Sequence, residues 1–160
     1  MGLFGIPTKK ERLLKEQQLN NCRRIFTESI NIMMSTEKID TFMSRRNVLR
    51  DALYEAGKIA GENNKCMNGV SPKEALETFD RDLPMILNPC IERFMRNETI
   101  RISKLSRDRI AKAKGLYLVA EEYQNEMPKE CFDHWNWLIG KLVKRIENLE
   151  RNDKLEKTNG

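Results

Sequence analysis

The feature that most constrains the fold is a helical spacing of apolar residues that recurs along most of the chain. Apolar positions repeat every three or four residues, while the signals of strands and turns are few. Glycine and proline are sparse, with 8 and 5 copies in 160 residues. The two clearest apolar stripes comprise Cys22, Ile25, Phe26, Ile30 and Met33, and then Cys131, Phe132, Trp135, Leu138, Ile139, Leu142, Ile146 and Leu149. The sequence therefore predicts an all-α fold, a single-domain bundle of five or six helices.

Residues that cap or interrupt helices divide this pattern into elements. Asp40 or Thr41 is the predicted N-cap of the second helix, and Ser71 precedes the third with the spacing of a capping box. Pro84 and Pro89 are expected to interrupt the chain, because proline removes a helical hydrogen bond. The sequence predicts a flexible N-terminus 1–7, a helical domain 8–150 and a frayed C-terminal tail 151–160. Ser106 is expected to cap the fifth helix, and Pro128 to open the sixth. The helices of the domain are predicted over about 8–34, 40–60, 72–82, 89–105, 106–125 and 128–150.

The composition argues against several classes of protein. No apolar run approaches the roughly 18 residues of a transmembrane helix, and the first residues lack a secretory signal's apolar region, so a cytoplasmic location is predicted. The four cysteines are far apart and there is one histidine, so no zinc-ligand spacing exists and reduced thiols are expected. Neither a phosphate-binding glycine loop nor a serine nucleophile motif occurs. We therefore expect a non-enzymatic protein without metal or cofactor.

Positive charge is concentrated in one part of the chain. Residues 93–114 hold eight Lys or Arg and two acids, so their net charge is +6. Because the net charge of the whole chain is +5, the remaining residues sum to −1. A helix through this segment would align five cations that could bind phosphates, and such binding would weaken steeply with salt. The alternative is a solvated face that pairs with acidic segments elsewhere. The candidate anion or nucleic-acid stripe comprises Arg93, Arg96, Arg101, Lys104 and Arg107.

Arg45 lies within the apolar arc of the second predicted helix, between Ala52 and Ala56 on a helical wheel. One interpretation is structural: its aliphatic stem covers the core and its guanidinium bonds Glu28, Asp40 or the carbonyls that end the first helix. The other interpretation is a clamp for a phosphate or a carboxylate in the notch between two helices. We favour the structural arginine at the helix turn, and expect Arg45→Ala to lower stability.

The stretch "SINIMMST" (29–36), followed by "DTFMSR" (40–45), resembles the signature of a family of small all-helical bacterial proteins. The matching residues are Ser29, Asn31, Thr36, Asp40, Thr41, Phe42, Ser44 and Arg45. That family often has Asn-Pro before the Asp and a second aromatic residue after the Phe, where this chain has Lys38-Ile39 and Met43. The resemblance covers residues 20–145, and it implies an all-helical fold and a bacterial or mobile-element origin. It implies no activity, because none is established for that family.

The last predicted helix carries a tryptophan outside its apolar stripe. His134 and Lys141 lie three and four residues from Trp137, so the three form one patch. Either another helix covers this patch, or Trp137 is exposed and anchors a protein interface. The sequence thus predicts a cytoplasmic protein-interaction module that binds an unidentified protein or a second copy of itself. The alternative prediction is a nucleic-acid-associated regulator that uses the basic stripe.

Overall fold

A computed structural model of the chain describes residues 5–127, 129 and 132–159. The elements in these residues are the helices α1 (Lys9–Ser35), α2 (Ile39–Ala60), α3 (Pro72–Leu105), α4 (Arg109–Gln124) and α5 (Phe132–Asn159). No strand occurs among them; Met67 and Val70 form an isolated bridge in a loop. The all-α prediction, with five or six helices, is therefore confirmed. None of the described helices combines the length and the hydropathy needed to cross a bilayer.

Helix α1 begins where the sequence predicted, but α2 does not. Thr8 caps α1 through a reciprocal pair of bonds, in which the Glu11 amide donates to the Thr8 hydroxyl and the Thr8 amide donates to the Glu11 carboxylate. The N-cap of α2 is Lys38, without a side-chain cap bond, so the prediction of Asp40 or Thr41 is wrong. Ile39 is 2% exposed, and its burial favours a first turn that starts earlier than the polar residues indicate.

The third and fourth predicted helices are one helix. Helix α3 continues through Pro84 and Pro89, so the predicted interruption is wrong. An interior proline costs roughly 3 kcal/mol of helix stability. The two prolines together therefore cost about 6 kcal/mol. Leu83, Leu87 and Ile91 are 1%, 0% and 0% exposed, and burying such side chains contributes about 1.5–3 kcal/mol each, which offsets that cost. Tertiary packing therefore outweighs the local signal here.

The ends of the last two helices also differ from the prediction. Asp108, not Ser106, is the N-cap of α4, and its carboxylate accepts from the Ile110 amide. Ser106 acts one step earlier, where its hydroxyl accepts from the Asp108 amide. Helix α5 begins at Phe132 and continues to Asn159, so most of the tail predicted to fray is helical. The predicted start at Pro128, the stripe position Cys131 and residues 1–4 of the predicted flexible N-terminus lie outside the described residues.

The backbone divides into two compact units, residues 1–90 and 91–160, with the boundary inside α3. The first unit has a core contributed by α1, α2 and the first part of α3. Arg50 and Asp80 form an ion pair between α2 and α3 within it. The largest side chains fully buried in this core are Met33, Ile39, Phe42, Leu49, Leu53, Leu83 and Leu87.

The second unit contains the end of α3 and the paired helices α4 and α5. Lys114 Nζ lies 3.0 Å from a Glu150 carboxylate oxygen, and Gln124 bonds Asn136, so α4 and α5 run antiparallel. Phe94 of α3 packs edge-on against Tyr123 of α4, with 4.7 Å between the ring centroids. The buried apolar residues of the unit are Ile91, Phe94, Ile102, Ala113, Leu116, Ala120, Met127 and Trp135.

Candidate protein-binding surface on helix α5

Two tryptophans on α5 have opposite environments. Trp135 is fully buried, whereas Trp137 is 53% exposed. Their separation of two residues corresponds to about 200° around a helix, so both cannot face the same core. The structure therefore leaves the second tryptophan at the surface, where the sequence had left two alternatives open.

The structure brings His134, Trp137 and Lys141 together. The Lys141 ammonium lies 4.4 Å from the centroid of the Trp137 ring, within the range of a cation–π interaction. The His134 ring is 5.6 Å from the same indole, centroid to centroid, and tilted by 33°. Contacts at three- and four-residue spacing hold the indole against the helix and restrict its rotamers. Trp137 is therefore an exposed but ordered aromatic side chain.

The electrostatics of this patch depend mainly on lysine. Burial lowers the pKa of His134 from its usual value of 6.5, and the nearby Glu92 carboxylate opposes this shift. The Nε2 atom of His134 is buried and has no hydrogen-bond partner among the described residues. At neutral pH the imidazole is consequently uncharged, and the positive charge beside Trp137 belongs to Lys141.

The patch extends into a longer surface that the sequence-based prediction missed. With about 100° of rotation per residue, a set of side chains, all exposed except the half-buried His134, lies within roughly 80° of Trp137 around α5. Four of these are cations, and the acids on this side are Asp133, at the N-terminal end, and Glu147, at the edge about 80° from Trp137. The pattern of three- and four-residue steps from Trp137 was visible in the sequence, but exposure was not. This surface, the α5 basic face, comprises His134, Trp137, Lys141, Lys144, Arg145, Asn148, Arg151 and Leu155.

The basic stripe predicted on the fourth helix is only partly assembled. Arg96, Arg101 and Lys104 are exposed on α3, and Arg93 is half-buried. Arg107 lies beyond the last residue of α3, so its predicted place on the helical stripe is wrong. The Arg101 guanidinium binds the Glu98 carboxylate through two nitrogens, at 2.8 and 2.5 Å, which partly neutralises its charge toward a ligand.

Arg45 is half-buried in the second turn of α2. Glu28, one of its predicted partners, instead pairs with Arg24 at 3.2 Å. Arg45 makes no hydrogen bond or ion pair with any residue that the structure describes, and Asp40 is exposed. Its burial agrees with an aliphatic stem that covers apolar surface. Its role in stability stays a prediction.

Metal-binding clusters and grooves are the features of the described residues that could support chemistry. No group of three His, Cys, Asp or Glu side chains lies close enough to hold a metal ion there. A groove of about 730 Å³ in the first unit is lined by apolar residues, acids and lysines, and its lining contains no histidine or cysteine. Neither observation supports a particular reaction, and the prediction that the chain is not an enzyme stays a prediction.

In comparisons with protein-family models, with curated proteins and with solved structures, no match to this chain was found. The resemblance to a family of small bacterial proteins therefore stays a prediction. The fold and the surface define an all-helical protein that presents an exposed tryptophan beside a row of cations.

Proposed function

We propose that the chain is a cytoplasmic, non-enzymatic protein-interaction module whose α5 basic face binds an acidic segment of another protein. The observation that carries this proposal is the 53% exposure of Trp137 at the N-terminal end of a row of cations on α5. Tryptophan is enriched among the residues that dominate binding energy at protein interfaces. Its contacts with His134 and Lys141 reduce the entropy that the side chain loses when a partner covers it.

The charges on the face specify the partner's chemistry. Lys141, Lys144, Arg145 and Arg151 are exposed and make no ion pair with a described residue. A partner rich in Asp and Glu would complement this row, would be attracted at long range, and would be favoured over a basic partner. The partner must also carry an apolar side chain, because Trp137 contributes most when water is excluded from its ring.

The same face is less suited to nucleic acid or to a membrane. Bases stack on a free aromatic face, whereas Lys141 lies over the Trp137 ring. A membrane-bound helix needs a broad apolar face. Here Trp137 and Leu155 are separated by roughly 27 Å of helix that carries mainly charged residues. The basic stripe on α3 is less suited, because Arg101 is paired with Glu98 and Arg107 lies beyond the helix. Arg96 and Lys104 remain as its exposed cations without an ion pair to a described residue.

The proposal is tested by selecting binders from a peptide library of random sequence, displayed on phage. We expect the enriched peptides to be acidic and to contain aromatic or aliphatic residues. Their binding to the purified protein, measured by fluorescence anisotropy, should weaken with added salt. Trp137→Ala should weaken it by about 30-fold, which corresponds to roughly 2 kcal/mol.

Tyr54→Ala is the matched control, because Tyr54 is an aromatic residue of almost equal exposure, 54%, on α2. This variant should bind the selected peptides as the wild type does. Enrichment of basic peptides, or equal affinity of wild type and Trp137→Ala, contradicts the proposal. Salt-sensitive binding of duplex DNA or of anionic vesicles that requires Trp137 would instead assign the face to those ligands.

A further inference from the structure

Helix α4 carries one large apolar side chain on a side that its own unit leaves uncovered. Its buried residues Leu116 and Ala120 face the core of residues 91–160, whereas Leu118, about 200° away from each around the helix, is 63% exposed. An apolar groove of about 380 Å³ lies beside it, between α4 and α5. The groove is lined by Lys114, Tyr117, Leu118, Val143, Ile146 and Glu147. An exposed leucine beside an apolar groove is typical of a surface that takes part in an interaction.

Apart from the N-cap Asp108, the charges along α4 run in the order that its own dipole disfavours. Arg109, Lys112 and Lys114 occupy its N-terminal half, and the helix has no acid in its first turn. Glu121 and Glu122 lie near its C-terminal end, which has no base in the last turn. The helix dipole favours the opposite arrangement at both ends. Of these charges, Lys114 is paired with Glu150, whereas the two glutamates make no ion pair with a described residue.

We propose that two copies of this chain associate through α4, antiparallel and related by a two-fold axis at Leu118. Such an axis sets residue 118 + n of one copy opposite residue 118 − n of the other, as in any isologous interface. Leu118 then contacts Leu118 of the second copy, and Lys114 faces Glu122 on both sides of the axis. The basic half of each α4 lies along the acidic end of the other.

This arrangement accounts for both features of the helix. The α4 of the second copy occupies the apolar groove, and the four α4 and α5 helices pack as a bundle of two helical hairpins. The reversed charge order, which is unfavourable in an isolated helix, becomes complementary across the axis. The α5 basic face lies on a different side of α5 from Val143, so the inference goes beyond the proposed function and does not depend on it.

The test uses charge reversal in the full chain. The first variant combines Lys114→Glu with Glu150→Lys. The ion pair between positions 114 and 150 within the chain is thereby kept, with its charges exchanged. Glu122→Lys is the second variant. In either variant alone, two like-charged contacts replace two attractive ones, and we expect the dimer dissociation constant to rise about tenfold or more.

When the two variants are mixed, every contact across the axis is again between opposite charges. We therefore expect the mixture to form a heterodimer while each variant alone is mainly monomeric, and the preference to fade at high salt. Mass is measured by light scattering and sedimentation equilibrium, where the wild type should approach twice 18.8 kDa. Helical circular dichroism confirms that each variant is folded.

Two further variants complete the test. Leu118→Glu should be monomeric, whereas Lys144→Glu, an exposed reversal on the α5 basic face, should leave the dimer intact. A wild type that stays monomeric at every concentration overturns the proposal. So does a wild-type dimer that survives Leu118→Glu, or a mixture of the charge variants that forms no heterodimer.

Discussion

The two tryptophans of α5 provide the sharpest test of the structure, because one substitution at each position should have opposite consequences. Trp135 is fully buried, and its replacement by alanine removes an indole from a packed core. Deletions of this kind cost roughly 3–5 kcal/mol, from the lost transfer energy and the cavity left behind. Trp135→Ala should therefore lower the free energy of unfolding by about that amount.

The expected cost at Trp137 is much smaller. About half of its side chain is already in water, and its defined contacts are with two neighbours on the same helix. An exposed cation–π contact contributes about 0.5–1 kcal/mol, and alanine recovers a few tenths through its higher helix propensity. Trp137→Ala should therefore cost less than about 1 kcal/mol, several-fold less than the substitution two residues earlier.

The assay is urea unfolding followed by far-ultraviolet circular dichroism, which does not depend on tryptophan emission. The conservative controls Trp135→Phe and Trp137→Phe leave one tryptophan each for fluorescence. Trp137 alone should emit at longer wavelength and be quenched by iodide, an anion attracted by Lys141; Trp135 alone should resist quenching. Equal losses of stability in the two alanine variants, or an iodide-resistant Trp137, would refute the reasoning.

Three other measurements probe the fold. Gly140→Ala should raise the free energy of unfolding by about 0.5–1 kcal/mol, because a Cβ there contacts nothing within 4 Å. Gly61→Ala should lower it by roughly 1–3 kcal/mol, because Gly61 has a φ of +100°. Urea unfolding distinguishes the two signs. An NMR titration of the imidazole should give a pKa below 6.5 for His134. As the pH falls, the unfolded chain is then protonated at a higher pH than the folded chain, so stability should fall below about pH 6.5. His134→Gln should reduce that dependence. Asp80→Asn removes the partner of Arg50, whose pKa is raised mainly by that hydrogen bond. Since both side chains are partly exposed, the free energy of unfolding should fall by less than about 1 kcal/mol, and by less still in high salt. A larger loss of stability that does not depend on salt would contradict this expectation.

Local signals in the sequence were sufficient for the type of element and for some boundaries. The start of α1 at Thr8 follows from a cap whose partner is three residues away, and Ser71 likewise accepts from the Glu74 amide at the start of α3. These interactions form within one turn of helix, so no knowledge of the rest of the chain is needed. The grouping of His134, Trp137 and Lys141 was predictable for the same reason.

Where burial competed with a local signal, the local signal was misleading. Pro84 and Pro89 indicated a break, and Asp40 indicated a cap, because each residue was judged by its own backbone preference. The structure instead follows the apolar residues beside them, Leu83, Leu87 and Ile39. The stability that these residues contribute depends on the other helices that pack against them. The residue spacing around the prolines does not show which helices those are.

By itself, the sequence determined an all-helical chain and the grouping of His134 and Lys141 around Trp137. Only the tertiary structure decided that Trp137 faces water while Trp135 is buried, that Arg107 leaves the basic stripe and that Leu118 stands exposed on α4. Periodicity states which side chains share a face of a helix, since that depends on 100° of rotation per residue. Which face is covered depends on what other helices reach it, and that is a property of the packed chain.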